Sequence, residues 1–239
     1  MFLFKKKKRT ALVTIHGFGH RTSREFDDLC TVLENPKYDV IRFDYFDPND
    51  EEDTDYQVWI QRCEQKMNEL SKEYEHITLL GFSMGGVVAS YLSTVYPVEQ
   101  MILVAPAFQY LNASKIVEYG MKGLRALRNQ EFDTSHLLSS KHVYAFTEVV
   151  AQYKESITQV ECPVLFLHGS QDEVIPVNSS REAYQKVQGK KLFLQVEDGK
   201  HKMLYDHTCQ EQLFPIIQCM MDHKIFNDSH QYGWPAKEK

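Results

Sequence analysis

Residues 79–89 read Leu79-Leu80-Gly81-Phe82-Ser83-Met84-Gly85-Gly86-Val87-Val88-Ala89, and the fold is decided by what this stretch requires of the backbone. Ahead of it, His76–Leu80 is a short run of strand character. Behind it, Val87–Leu92 opens a helical stretch. A serine flanked by glycines on a sharp strand-to-helix turn is a nucleophile elbow. Such a turn strains the serine backbone and crowds its neighbours, and Gly81 and Gly85 have no Cβ to clash there. The hydroxyl stands at the tip of the bend, and the helix N-terminus faces any negative charge that develops beside it.

Working outward, two further strand-like runs end in reactive residues. Pro163–Gly169 is followed by Ser170-Gln171-Asp172-Glu173-Val174-Ile175-Pro176, and Lys191–Val196 by Glu197-Asp198-Gly199-Lys200-His201. A histidine can take the proton of a serine hydroxyl, and a carboxylate behind it fixes the imidazole tautomer. The order Ser83, Asp172, His201 matches serine, acid, histidine, each just past a strand. Glu173 and Asp198 are rival acids, although Asp198 lies on the same short loop as His201, an awkward place from which to reach behind the ring. Near the start, the strand Thr10–Ile15 runs into His16-Gly17-Phe18-Gly19-His20.

Together, His16–Gly19, Gly81–Gly86, His168–Pro176 and Gly199–His201 resemble the α/β-hydrolases of the small carboxylesterase and monoacylglycerol-lipase type, across nearly the whole chain. The resemblance implies an α/β fold: a mostly parallel sheet flanked by helices on both faces, with a small helical cap inserted after the sixth strand. It implies one domain over residues 1–239, with the cap at 108–160. It favours Asp172 over Glu173 as the acid, and gives the oxyanion hole to the N–H groups of Phe18 and Met84. His16 would brace the loop. Phe108, Val174 and Met203 would line an acyl pocket. The expected substrates are small-molecule esters of short- to medium-chain acids, without cofactor or metal. Monoacylglycerol lipase, lysophospholipase and thioesterase activities are alternatives on the same residues, and a catalytically silent ligand-binding protein is the alternative from another class.

The residue pattern agrees with this organisation. Apolar strand-like runs alternate with helical stretches near Ser23–Leu33 and Tyr56–Tyr74, which implies a parallel sheet covered on both faces. The strands include Tyr38–Tyr45 and Met101–Ala105, and Asp47–Asp55 reads as a solvated acidic loop. Between Ala107 and Glu161 the alternation stops, leaving amphipathic stretches at Ser114–Arg128 and Lys141–Ile157 that read as the cap. Thr208–Phe226 reads as a closing helix interrupted or bent at Pro215. Asn227–Lys239 reads as a loosely held polar tail.

A chain of 239 residues with 43% apolar content can bury a large core. Its net charge of −6 gives no reason to expect nucleic acid, and no apolar run reaches the length of a membrane span. The N-terminus places Met1–Phe4 before the basic run Lys5–Arg9, the reverse of a secretory signal. Cys30, Cys63, Cys162, Cys209 and Cys219 are scattered, with neither disulfide nor zinc spacing. A cytoplasmic location is therefore the expectation. Composition leaves the oligomeric state open.

Overall fold

A computed structural model of the chain describes residues 8–33, 37–109 and 138–226. Among these residues six strands form one sheet: β1 (Lys8–Ile15), β2 (Asp39–Arg42), β3 (Tyr74–Phe82), β4 (Gln100–Val104), β5 (Val164–Gly169) and β6 (Lys191–Val196). Their order is β2-β1-β3-β4-β5-β6, and every pairing is parallel.

Side chains alternate across this sheet, as the two-residue period of a strand demands. Ala11, Val13, Ile15, Leu79, Met101, Leu103 and Phe166 enter one core, while Leu12, Leu80, Ile102, Val104 and Leu165 enter the other. Strands apolar on both faces need helices on both sides. The first face is covered by α2 (Tyr56–Glu73), α3 (Met84–Val95), α4 (Ser140–Tyr153) and α5 (Val177–Lys186). The second is covered by α1 (Asp27–Val32) and α6 (His207–Met221). Trp59, Cys63, Met67 and Leu70 form the buried stripe of α2, as their spacing predicts.

Local differences from the sequence reading have physical causes. The stretch expected as one helix over Ser23–Leu33 divides into a 3-10 turn, Thr22–Phe26, and α1. The turn points Thr22, Glu25 and Phe26 inward. Strand β2 ends at Arg42 rather than Tyr45, because the following backbone bonds to side chains instead of the sheet: the Tyr45 N–H donates to His16 Nε2 at 3.4 Å. The acidic loop is ordered through Asp53, which accepts from the Asp47 N–H at 2.7 Å and from Trp59 Nε1 at 3.2 Å. Of the expected interruption or bend at Pro215, the interruption is absent: helix α6 runs on through it. Pro215 faces solvent, where water can satisfy the carbonyl that its missing N–H would have bonded.

Among the described residues four strands of the sheet precede the long insertion, so in chain order it follows the fourth strand rather than a sixth. Its second half is α4 and the 3-10 helix Lys154–Gln159. Ala145, Phe146, Val149 and Val150 of α4 pack into the first core, with Phe146 against Phe18 at 5.0 Å between ring centroids. The stretch Ser114–Arg128, most of the expected cap apolar surface, the Lys5–Lys7 end of the basic run and the Asn227–Lys239 tail lie outside the described residues.

Candidate active site

Strand β3 delivers Ser83 to its carboxyl end, where α3 begins at once with Met84. Ser83 has φ 53° and ψ −118°, a region that costs a non-glycine residue about 1–3 kcal/mol. The surroundings hold it there: the Ser83 N–H donates to Val104 O at 3.0 Å, and Ser83 O accepts from the N–H groups of Gly86 and Ala107, each at 3.0 Å. The glycines serve close approach. A Cβ on Gly81 would lie 2.4 Å from Gly85 O, and one on Gly85 would lie 2.0 Å from Ile15 O. The elbow is thus pressed onto the end of β1. Met84 opens the helix, so its N–H is among the first-turn donors without an intrahelical acceptor.

The loops after β5 and β6 bring Asp172 and His201 to the same end of the sheet. His201 Nε2 lies 3.1 Å from Ser83 Oγ, and His201 Nδ1 lies 2.8 Å from Asp172 Oδ2. A carboxylate only accepts, so Nδ1 carries the hydrogen and Nε2 is left to accept from the serine hydroxyl. Asp172 Oδ1 accepts from the N–H groups of Val174 (2.9 Å) and Ile175 (2.8 Å). Buried His168 approaches the same carboxylate, its Nε2 lying 3.3 Å from Asp172 Oδ2 and 3.1 Å from Ile175 O. Both neighbours are acceptors, so that nitrogen carries a hydrogen. Ser180 Oγ meets the other ring nitrogen at 2.7 Å. Burial alone would raise the Asp172 carboxyl. Hydrogen bonds from His168 and His201 outweigh it and hold the group well below the usual carboxylate range.

These two loops touch backbone to backbone. A Cβ on Gly169 would lie 2.0 Å from Gly199 O, and the Gln171 N–H donates to that same oxygen at 2.9 Å.

The His-Gly loop after β1 lies against the elbow, since a Cβ on Gly17 would sit 3.1 Å from both Ser83 Cβ and Phe82 Cδ1. His16 is fully buried and stacks on Tyr45 at 4.2 Å. Its Nδ1 lies 2.8 Å from Gly17 O and its Nε2 accepts from the Tyr45 N–H, which fixes the Nδ1–H tautomer. Burial lowers His16 to about 4 and keeps it neutral. The ring donates to the carbonyl of the very peptide whose N–H belongs to Phe18. A planar trans peptide aims these two groups oppositely, so His16 sets the direction of the Phe18 N–H.

The sequence-predicted residues therefore divide. Ser83, Asp172 and His201 join in one hydrogen-bonded chain, with Phe18 and Met84 on the two segments beside Ser83. The rivals are engaged elsewhere: Glu173 accepts from the backbone N–H of His201 at 3.3 Å, and Asp198 accepts from Gln171 Nε2 at 2.6 Å. Asp44 accepts from the Ser23 N–H at 2.8 Å. Phe108, Val174 and Met203 come from three different segments of the fold. Phe108 lies in the first core and Met203 in the second, on opposite faces of the sheet. A groove beside Phe108 combines Ile157 and Ala183 with the charged Lys154, Glu155, Glu182 and Lys186.

Sequence reasoning missed the partnership of His168 with Asp172 and the role of Glu25, whose Oε2 accepts from the Gly17 N–H at 2.8 Å. The four-residue spacing of His168 and Asp172 across a strand end was the signal for the first; nothing local marks Glu25. Among the described residues, no group of three His, Cys, Asp or Glu side chains could hold a metal ion, and no helix is long and apolar enough to cross a membrane.

The profile of an uncharacterised protein family, UPF0227, matches residues 11–217. The serine hydrolase BPHL of Mus musculus is 25% identical over 154 residues, 55% of this chain and 50% of that protein. The matched stretches span half the length or less of the curated relatives. Among solved structures, one from work on the metagenome-derived lipolytic enzymes LipS and LipT superposes with a TM-score of 0.73 at 15% identity, covering 92% of this chain and 96% of that one. The monoacylglycerol lipase of Paleococcus ferrophilus gives 0.69 at 17% identity, covering 91% and 96%. The architecture is that of the α/β-hydrolases.

Proposed function

The chain belongs to the uncharacterised family UPF0227, and we propose that it is a serine carboxylic-ester hydrolase acting on short- to medium-chain acyl esters. One observation carries the reading: Ser83 Oγ, the His201 imidazole and the Asp172 carboxylate form an unbroken hydrogen-bonded chain on a strained turn. Strain held at such a turn serves to present a nucleophile. The esterase and lipase neighbours share this architecture and add support.

As Ser83 Oγ bonds to the ester carbonyl carbon, its proton passes to His201 Nε2 and the carbonyl electron pair moves onto oxygen. The N–H groups of Phe18 and Met84 hold that oxyanion. Asp172, kept ionised by its four hydrogen-bond donors, stabilises the imidazolium without taking its proton. Collapse expels the alcohol, which takes the proton from Nε2. Water, deprotonated by the same nitrogen, then attacks the acyl carbonyl carbon; the bond to Ser83 Oγ breaks, Oγ takes back the proton from Nε2, and the acid leaves. Residues 108–160 are the proposed cap, with Phe146 on Phe18 tying its described part to the oxyanion loop.

A panel of p-nitrophenyl esters of increasing acyl length, run with Ser83→Ala and a fluorophosphonate probe, tests the proposal. The wild type should turn over the shorter esters and be labelled, and the variant should do neither. A wild type that turns over none of them and resists the probe refutes the hydrolase reading. Equal rates at every length refute acyl selectivity.

A further inference from the structure

We propose that Glu25 is a positioning residue for the oxyanion hole: its buried carboxyl holds the Gly17 N–H and so fixes the peptide that presents the Phe18 N–H. The inference rests on the ester-hydrolase reading and adds a residue that the hydrogen-bonded chain from Ser83 to Asp172 does not contain.

Two peptide planes meet at the Gly17 Cα. The plane joining residues 16 and 17 is held at both ends, since His16 O accepts from the Tyr45 hydroxyl at 2.8 Å and the Gly17 N–H donates to Glu25 Oε2 at 2.8 Å. The plane joining residues 17 and 18 is held at its carbonyl by His16 Nδ1, also at 2.8 Å. Its opposite end, the Phe18 N–H, is the proposed oxyanion donor. Gly17 has the widest backbone freedom of any residue, so the Phe18 N–H keeps its direction only while both planes are held, the second by His16 and the first by Tyr45 and Glu25. Glu25 supplies its anchor from the 3-10 turn Thr22–Phe26.

A packing role does not call for a carboxyl. Glu25 is 5% exposed, and burial pushes it up to about 7 despite the Gly17 hydrogen bond and the facing charges of Arg21 and Lys202. The hydroxyls of Tyr45 and Tyr205 also face its charge. An apolar side chain of similar size would fill the same space without that desolvation cost. What only an acceptor can do there is bind the Gly17 N–H.

The experiment compares Glu25→Gln with Glu25→Leu in the full chain, using p-nitrophenyl butyrate for kcat and KM, and amide hydrogen exchange at Gly17 as a readout independent of turnover. Glutamine keeps an acceptor oxygen and should stay within about threefold of wild-type kcat, with the Gly17 amide protected. Leucine removes the acceptor and should lower kcat by about 10- to 100-fold with KM within about threefold, because a misdirected oxyanion donor is lost mainly in the transition state. The Gly17 amide should then exchange at the rate of the neighbouring loop. Unchanged kcat in folded Glu25→Leu, or an equal loss in both variants, overturns the proposal. If Glu25→Leu does not fold, Glu25→Gln decides: lost Gly17 protection or a kcat loss above tenfold overturns it. If wild-type protein hydrolyses no ester while Gly17 protection follows the acceptor, the anchor stands and the hydrolase reading fails.

Discussion

Glu25→Gln should reshape the pH dependence of folding stability by an amount that follows from burial. Glu25 titrates at about 7 in the folded chain against an ordinary value of 4.5. Its folded value is raised, so its contribution is fully present below pH 4.5 and is lost as pH rises through about 7. Between those limits the loss amounts to about 3 kcal/mol. His16 works in the opposite sense. Lowered from 6.5 to about 4, its contribution is complete above pH 6.5 and lost as the pH falls through 4, again by about 3 kcal/mol. In the wild type the two slopes oppose one another over roughly pH 4.5–6.5. Glutamine cannot ionise, so the variant keeps only the His16 slope. Urea unfolding followed by tryptophan fluorescence at pH 5, 6, 7 and 8 reads this as a difference in which all other titrations cancel. The variant should gain on the wild type with rising pH, approaching about 3 kcal/mol near pH 8. A difference that is constant with pH, or that shrinks as pH rises, refutes the reasoning.

The remaining expectations concern the elbow and the acid. Ser83→Gly should abolish ester turnover as fully as Ser83→Ala, yet unfold about 1 kcal/mol later, because glycine relieves the positive φ at some cost in unfolded-chain entropy; equal denaturation midpoints would contradict the strain. Gly85→Ala places a Cβ 2.0 Å from a main-chain oxygen that has no room to retreat. It should cost at least about 3 kcal/mol or prevent folding, as measured by denaturant titration. Asp172→Asn should lower kcat by about 10⁴-fold while leaving the fold intact, since an amide no longer dictates the His201 tautomer; circular dichroism and burst kinetics check the two halves of that statement.

Much of the site was legible because catalysis concentrates at strand ends, where short motifs fix local geometry. Gly81 and Gly85 marked the elbow, and the loops carrying Asp172 and His201 followed apolar runs whose identity as strands was clear. Residues that act across the fold were harder to see. Glu25 meets Gly17 only because the chain folds back through a 3-10 turn, and Tyr45 reaches His16 from the end of another strand; neither spacing has a period. At Pro215 the sequence shows the missing donor but not that the affected turn faces solvent. The placement of Phe108 and Met203 was hidden for a similar reason. Phe108 and Met203 each follow a strand, but which side of the sheet each connection takes is set by packing, and here the sides differ.

The contact between Gly169 and Gly199 bears on how the protein should lose function on heating. With no side chain between the loops, the proposed acid and base ride as one body on adjacent strands, and the proposed nucleophile is wedged against the end of β1 by an equally bare contact at Gly85. No soft spacer is available to let the reacting groups drift apart while the sheet stays whole. Heat inactivation should therefore superpose on the melting of the whole sheet, with no inactive but folded plateau between them.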